Sequence, residues 1–493
     1  MAALENPVLV AVTALVDRLA QDQDHARKVP ARPDRSLEEL GIGSLRLVEL
    51  IAELESAYGF QFRHDDIDVA NFATLADVTN LVDRYLNSPG AWPPRTPPGG
   101  AAVPAPVSAA VPAPGGGLAG AGEGLPADFP ALPADARLLL CTAKLRMTAA
   151  DVGIATDLLR KKAVDCGRFL DLAAKHRVLN LVARSFARER LELTDIVPHW
   201  TMRSSYLYNR QRNLALVDEL GVLLAEFASR GVNAVVRKGT YLTCRVYPDP
   251  ALRFSADLDL YVADSDRVAF SRAMTDLGYQ QGLPTENGRV MLPLDREEAI
   301  FSRLHEAALP PFRRLTSDPY VEIFTIDPSH NLMPPASHKS IPAADFLRRA
   351  HRETVAGEQA WVCSPEDTLL DLCVHLFREA TSVCSIELNK DLCLIRFIDI
   401  VQWWRAAGGR LDTERFAGLA AQYDLVAENY YALHFTQLLY PGVVPPELLD
   451  RLRPDDLDYL DTYGFYEGLP GRWDVPFMER MFDPDHGAGI TVG

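Results

Sequence analysis

Acidic side chains at strand spacing mark the second half of this 493-residue chain. Asp257 and Asp259 are separated by one residue in the alternating segment ADLDLYVA, so on a strand both carboxylates emerge on one face. Two neighbouring carboxylates repel each other, and a divalent cation removes that repulsion. Oxygen ligands of this kind suit Mg²⁺, which completes its shell with water and substrate phosphates. The pair therefore predicts a magnesium site used in phosphate chemistry.

A third carboxylate is needed if two metal ions are to flank a reacting phosphorus. Glu322, in the strand-like segment PYVEIFTID, is the candidate for a further metal ligand or a general base. The alternative is that Glu322 is only the solvent-facing residue of an edge strand. The sequence leaves both interpretations open.

A Lys-Gly-Thr turn precedes the aspartate pair, where a short β-branched run gives way to a helical pattern. Gly239 allows close backbone approach, and the start of a helix offers free N–H groups to an anion. Lys238 and Arg253 supply positive charge. Walker-motif spacing is missing, so the prediction of a phosphate site depends on the order of features: glycine turn, paired aspartates on a strand, then an acid on a later strand.

A serine opens the amphipathic segment SLRLVELIAELESAY near the N-terminus. The hydroxyl of Ser44 can cap a helix by accepting an N–H group of its first turn. A helix start also favours a phosphate ester, because its dipole and free N–H groups stabilise negative charge. Ser44 is therefore either a simple cap or the attachment point of a covalent arm.

The composition divides the chain into several regions. Residues 89–130 are dominated by Pro, Ala and Gly with almost no charge, which predicts a disordered linker. Residues 1–88 contain 8 Lys and Arg against 15 Asp and Glu, and their pattern is helical. After the linker we predict an N-terminal helical subdomain over 131–230, an α/β core over 231–345 and a C-terminal helical subdomain over 346–493.

Several functional classes are disfavoured by the sequence. The formal charge of −17 argues against a nucleic-acid-binding surface. No run of eighteen apolar residues occurs, and the N-terminus lacks the positive region of a signal peptide. The seven cysteines are odd in number and never spaced CxxC, which indicates neither a disulfide framework nor a zinc site. We expect a cytoplasmic protein without a membrane partner.

Helical spacing of apolar residues predicts helices over residues 7–21, 44–58 and 75–86. Over this region LEELGIGSLRLVELIAELESAYGFQF, HDDID and FATLADVTNLVDRYL resemble the second helix, connecting loop and last helix of acyl carrier proteins. The resemblance implies an all-α four-helix bundle in which Ser44 carries 4′-phosphopantetheine. It also implies a phosphopantetheinyl transferase and carrier-loading enzymes as partners. Gly43 stands where the family usually has Asp.

The segment VVRKGTYLTCRVYPDPALRFSADLDLYVADSDRVAFSRAMTDLGY resembles a family of uncharacterised nucleotidyltransferases in the DNA polymerase β-like superfamily. The likeness continues through KHRV, RNLALVDEL, SPEDTLLDLCVHL and FIDIVQWW. It implies an α+β nucleotidyltransferase core flanked by helical subdomains, in a multidomain chain.

The same resemblance implies roles for individual residues. Asp257 and Asp259 would bind one or two Mg²⁺ ions, and Glu322 would hold the second ion or orient the nucleophile. The triphosphate of an NTP, with ATP as the expected donor, would be held by four residues: Lys238, Gly239, Thr240 and Arg253.

Three further residues are candidates on weaker grounds. His375 and Asp399 match positions in the family's later helices. The family's third acid is typically followed two residues later by His, and Phe324 occupies that place here. Any role of that histidine is therefore absent here or is taken by His330.

These features predict a carrier-fused, magnesium-dependent nucleotidyltransferase. It would transfer a nucleotide to an acyl or aminoacyl group tethered as a thioester, in specialised-metabolite biosynthesis, with downstream biosynthetic enzymes as further partners. One alternative is a catalytically inactive nucleotidyltransferase-fold module that binds or presents the carrier. Another is a nucleotidyltransferase that acts on a free metabolite, an RNA or a protein.

Overall fold

A computed structural model divides the chain into two compact units. The first unit comprises Met1–Pro106 with Gln281–Leu283 and Leu292–Pro310, and the second comprises the rest. The residues that the structure describes are 7–20, 32–42, 44–58, 60, 62, 66–67, 69–86, 124–193, 195–285, 290–297, 300, 308–468 and 470–490. Gly43 and residues 89–123 of the predicted linker lie outside the described residues, whereas the end of that predicted segment enters a 3₁₀ helix, Phe129–Ala131, in which Phe129 is buried.

The first unit contains the three predicted N-terminal helices. They are α1 (Pro7–Ala20), α2 (Ser44–Tyr58) and α3 (Leu75–Leu86), with a 3₁₀ helix at Val69–Phe72. Thr74 begins α3 with reciprocal bonds: its Oγ1 accepts the Asp77 N–H at 3.2 Å, and the Asp77 carboxylate accepts the Thr74 N–H at 3.1 Å. The apolar faces of the three helices form one buried cluster. The prediction of a helical N-terminal region is confirmed.

The second unit begins with helices whose starts follow from their cap residues. Thr148 and Asp151 form a capping box. Asp165 caps the helix that begins at Cys166, and Asp195 caps the helix that begins at Ile196, each by accepting an N–H group. The helices of this part are α4 (Ala134–Thr142), α5 (Ala149–Arg160), α6 (Cys166–Lys175), α7 (Leu179–Glu189) and α8 (Ile196–Arg230).

A mixed sheet follows, in the region for which the sequence predicts an α/β core. Its strands are β1 (Ala234–Val236), β2 (Leu258–Val262), β3 (Gln280–Pro284), β4 (Met291–Pro293), β5 (Phe312–Leu315), β6 (Ile323–Ser329), β7 (His351–Val355) and β8 (Glu358–Val362). Helices α9 (Lys238–Arg245), α10 (Arg267–Asp276) and α11 (Ala343–Arg349) lie between them in sequence. Six strands within the second unit run in the order β5-β6-β2-β1-β8-β7. Strands β2 and β6 are parallel and staggered, so Leu258–Tyr261 of β2 lie beside Ile326–Ser329 of β6.

The chain then returns to helix. Ser364 caps the first of these helices, because its Oγ accepts the Asp367 N–H at 3.1 Å. The remaining elements are α12 (Pro365–Thr381), α13 (Val383–Glu387), α14 (Leu394–Ala407), α15 (Thr413–Gln422), α16 (Val426–Leu439), α17 (Pro446–Leu452), β9 (Thr462–Tyr463), β10 (Gly471–Arg472) and α18 (Phe477–Phe482). The helices that the structure describes include none with both the length and the apolar character needed to span a membrane.

A buried ion pair ties the sheet to the C-terminal helices. Arg237, directly after β1, forms a two-pronged salt bridge with Asp371 on α12, and its Nη1 donates to Ser329 Oγ at 3.0 Å. Its guanidinium lies 3.9 Å from the centroid of the Tyr261 ring, which stacks on Phe346. Because a buried charge is costly unless it is paired, this arrangement fixes the end of β1 against α12. Residue 238, where α9 begins, is positioned by that constraint.

Candidate active site

The structure brings three aspartates to one edge of the sheet. Asp259 on β2 lies directly opposite Asp327 on β6 in the parallel register, and Asp257 comes immediately before β2. All three line a cavity of about 320 Å³. The stagger of the two parallel strands produces the arrangement, because the first residues of β2 lie beside the last residues of β6.

The three carboxylates have different pKa values because their environments differ. Burial raises the pKa of Asp257 to about 6, and the charge of Asp259 adds to the effect. Burial raises the pKa of Asp327 to about 7, with further increases from Asp257 and Asp259. Burial also acts to raise the pKa of Asp259, but the positive charges of Lys238 and Arg237 outweigh it, and that pKa is lowered.

Three carboxylates are suitable ligands for a divalent cation, but their side chains are not arranged around a common point. Asp327 Oδ1 is buried and has no hydrogen-bond partner, which is costly for a carboxylate in the absence of a ligand. The Lys238 ammonium lies 3.0 Å from Asp259 Oδ1. Among the residues that the structure describes, no three His, Cys, Asp or Glu side chains are grouped as a ready-made metal site. A cation would therefore bind with displacement of the Lys238 contact or with small movements of the carboxylates.

The turn at the start of α9 faces the same cavity. Lys238 has a positive φ of 40°, which is uncommon for a residue other than glycine and costly unless its surroundings impose it. A Cβ added to Gly239 would lie 3.5 to 3.7 Å from Arg253 Nη1, Asp259 Oδ2 and Ser255 Oγ. Gly239 lines the cavity, and a Cβ there would be in ordinary van der Waals contact with a guanidinium, a carboxylate and a hydroxyl. No side chain caps the first turn of α9, so its N–H groups are available to an anion.

The Thr240 hydroxyl does not join this group. Thr240 is buried, and its Oγ1 lies 3.4 Å from the carbonyl oxygen of Asp257. It is absent from the lining of the cavity. Its side chain supports the backbone beneath Asp257, and the expected contact of its hydroxyl with a triphosphate has no counterpart in this arrangement.

Arg253 is held in the cavity wall by Asp399. Its Nε and Nη2 donate to the Asp399 carboxylate at 2.9 and 2.7 Å, and Tyr247 Oη donates to the same carboxylate at 2.6 Å. The remaining Nη1 donates to Ser255 Oγ at 3.0 Å. The Asp399 candidate is therefore placed behind Arg253 as a residue that positions it.

The structure does not bring Glu322 to the aspartates. Glu322 is exposed immediately before β6, five residues from Asp327. Five residues of strand correspond to about 17 Å, and an odd separation places the two side chains on opposite faces. Asp327 therefore occupies the place for which Glu322 was predicted. Asp327 had no local signal of its own, because its position beside Asp259 depends on the parallel pairing of β2 with β6.

The two histidine candidates lie in different places. His375 on α12 lines the cavity, and burial, then the charges of Lys238 and Arg396, lower its pKa well below its ordinary value. It is neutral near pH 7 and can act there only as a hydrogen-bonding group. His330 does not line the cavity, and its carbonyl oxygen accepts the Ala343 N–H at 2.8 Å. Phe324 is buried and points to the opposite face from Asp327.

Cations that the sequence did not single out form another part of the cavity wall: Arg177, Lys390 and Arg396. Arg396 is held by Glu379 at 2.8 Å and by the carbonyl oxygens of Lys390 and Asp391 at 2.7 and 2.9 Å. Arg177 lies between α6 and α7 with a positive φ of 57°. No local motif marks these residues, because Arg177 and Lys390 come from loops and Arg396 from the first turn of α14.

Ser44 is the first residue of α2, as predicted. Its side chain lies outside what the structure describes, so the choice between cap and attachment point is not decided by geometry.

Comparison with known families gives two matches. A family described as "Uncharacterised nucleotidyltransferase" matches residues 162–441, more than half of the chain. A family described as "Phosphopantetheine attachment site" matches residues 16–82, which include Ser44. No curated protein matches the chain. Both resemblances noted in the sequence are confirmed.

Proposed function

Because the chain belongs to the family of uncharacterised nucleotidyltransferases and has a phosphopantetheine carrier domain at its N-terminus, we propose that it transfers a nucleotide to a group tethered on that carrier. The donor is an NTP, with ATP as the first candidate, and the acceptor is an acyl or aminoacyl group held as a thioester. A role in specialised-metabolite biosynthesis follows from this pairing of domains.

The observation that carries the proposal is the register of Asp259 against Asp327, with Asp257 beside them in one cavity. Asp257, Asp259 and Asp327 would hold Mg²⁺, and the unpartnered Asp327 Oδ1 fits that role. Bound Mg²⁺ supplies charge stabilisation at the oxygens of the reacting phosphates. Asp327 replaces Glu322 as the third acid in this proposal.

The phosphates would be bound by positively charged residues of the cavity wall. Arg253, fixed by Asp399, and the first turn of α9 would hold the triphosphate beside Gly239. Lys390 and Arg177 would neutralise further phosphate charge. In the reaction, an oxygen or nitrogen of the tethered group forms a bond to the α-phosphorus while the bond to pyrophosphate breaks. The pyrophosphate leaves with the bonding electron pair.

The carrier would supply the acceptor in high local concentration. The phosphopantetheine thiol on Ser44 holds the cargo, and tethering of two modules by a flexible linker gives effective concentrations on the order of millimolar, less for longer linkers. A phosphopantetheinyl transferase and a loading enzyme are the partners that this arrangement requires.

Intact-protein mass spectrometry of the full chain tests the proposal. The chain is first modified by a phosphopantetheinyl transferase with acyl-coenzyme A cargos that bear hydroxyl, carboxyl or amino groups, and then incubated with each NTP and Mg²⁺. The expected result is a mass gain of one nucleoside monophosphate with release of pyrophosphate, and neither in the Ser44→Ala variant. No gain with any NTP and any of these cargos would overturn the proposed reaction.

A binding-only module is the second candidate, because the Lys238–Asp259 ion pair occupies an oxygen that a metal ion would need. Such a module would bind NTP or the loaded carrier without releasing pyrophosphate. Isothermal titration with NTP and Mg²⁺, beside the pyrophosphate assay, separates the two: binding with no release under any condition favours the module.

A further inference from the structure

A segment distant in sequence from the carrier domain belongs to the same compact unit. Residues Leu292–Pro310 begin within strand β4 and precede β5, yet they group with Met1–Pro106. Two of the described residues in this segment, Arg296 and Ile300, make specific contacts inside that unit. The contacts are of two different kinds, one apolar and one ionic.

The apolar contact is made by Ile300. Its side chain is fully buried, and it belongs to the same hydrophobic cluster as Val12 of α1, Leu54 of α2 and Val82 of α3. Every other buried member of that cluster comes from the first 82 residues. A β-branched aliphatic side chain from residue 300 therefore completes the core of the carrier bundle. Burial of this kind is the main favourable contribution to association of apolar surfaces.

The ionic contact is made by Arg296. Its guanidinium pairs with the Glu55 carboxylate through Nε, at 3.2 Å, and through Nη2, which also donates to the Phe62 carbonyl oxygen at 2.8 Å. Glu55 Oε1 also accepts the Phe62 N–H at 2.9 Å. The Glu55 side chain is 8% exposed, so this charge is largely removed from water. A buried carboxylate needs such a partner, and Arg provides the planar two-pronged geometry that matches it.

We propose that Arg296 and Ile300 dock on the chain's own carrier domain, with Ile300 as the apolar anchor and Arg296 as the ionic clamp on Glu55. Glu55 and Arg296 are 241 residues apart in sequence, so the contact would fasten a distant part of the chain to the carrier domain. Docking would also occupy the Glu55 carboxylate, so this group would not be available to an external partner of the carrier.

Hydrogen exchange of the full-length protein tests the clamp without any nucleotide, so its result is independent of the proposed reaction. Arg296→Glu and Glu55→Arg are each expected to speed exchange at least tenfold in peptides that cover residues 50–62 and 292–300. The double variant, which restores opposite charges, is expected to recover protection in both peptides. Arg18→Glu is the matched control, because Arg18 pairs with Glu53 on the exposed surface of the same bundle.

Three outcomes would overturn the proposal. Unchanged exchange in both single variants would show that the Arg296–Glu55 pair does not stabilise either segment. Failure of the double variant to recover protection, with the control folded normally, would show that Glu55 and Arg296 do not act as a pair. Protection that falls on dilution, together with a dimer-to-monomer change by mass photometry, would assign the contact to a second copy of the chain.

Discussion

Two buried carboxylate sites in this chain differ in how completely their charge is satisfied. Glu55 accepts the Phe62 N–H and is paired with Arg296, so its burial serves packing. Asp327 Oδ1 has no hydrogen-bond partner, and burial with two neighbouring aspartates raises the pKa of Asp327 to about 7. An unsatisfied buried carboxylate is costly, and under the proposed function a bound cation would offset that cost. The comparison therefore separates a carboxylate that is paired within the fold from one that is proposed to bind a ligand.

The largest effect is expected from neutralising the unsatisfied site. Asp327→Asn should lower the rate of pyrophosphate release by at least about 10³-fold, because a metal ligand contributes several kcal/mol of charge stabilisation in the transition state. Glu322→Gln is the matched control on the same chain segment and should stay within about twofold of the parent. The reverse pattern would return the role of third acid to Glu322.

The satisfied pair behind the cavity should affect stability. Asp399→Ala leaves Arg253 buried without its carboxylate, and loss of one partner of a buried pair costs roughly 3–5 kcal/mol. The free energy of unfolding in urea is the measurement. Asp458→Ala breaks the exposed pair with Arg472 and should cost at most about 0.5 kcal/mol. Equal, small losses in both variants would contradict the structural role of Asp399.

Local elements of the site were predictable from sequence. The alternation of ADLDLYVA predicted β2, and the Lys-Gly-Thr turn predicted the start of α9. Alternation also assigns faces, but it does not say which end of a strand meets its neighbour. Local pattern pointed to Glu322 and not to Asp327, because the parallel pairing of β2 with β6, which places Asp327 beside Asp259, is a long-range property.

Contacts between distant parts of the chain were not predictable. Arg253 meets Asp399 across 146 residues, and Arg296 meets Glu55 across 241. Neither pair has a local spacing that marks it, because each depends on how complete elements pack. The cations Arg177 and Lys390 come from loops for the same reason. Local sequence patterns indicated a type of chemistry and some residues of the candidate site, whereas the partners of those residues depend on the fold.

A smaller effect is expected from the basic wall of the cavity. Lys390→Ala should raise KM for the NTP about tenfold and leave kcat nearly unchanged, because loss of a charged hydrogen bond costs about 1.5 kcal/mol in both bound states. Lys161→Ala, which removes an exposed lysine paired with Asp157 on α5, is the control. Steady-state kinetics over NTP concentration measures both. A fall in kcat at constant KM would instead place Lys390 at the transition state.

The smallest effect separates packing from charge in the first unit. Ile300→Val removes one methyl group from a fully buried side chain, and such changes cost about 0.5–1.5 kcal/mol. Exchange of α3 amides should therefore quicken about two- to tenfold, without the loss of the Glu55 pair that Arg296→Glu causes. Val10→Ala on α1 is the control, because Val10 is 51% exposed and its truncation leaves no cavity. If Ile300→Val and Val10→Ala change exchange equally, Ile300 is not part of the carrier core, and the Arg296 pair alone would have to hold the segment.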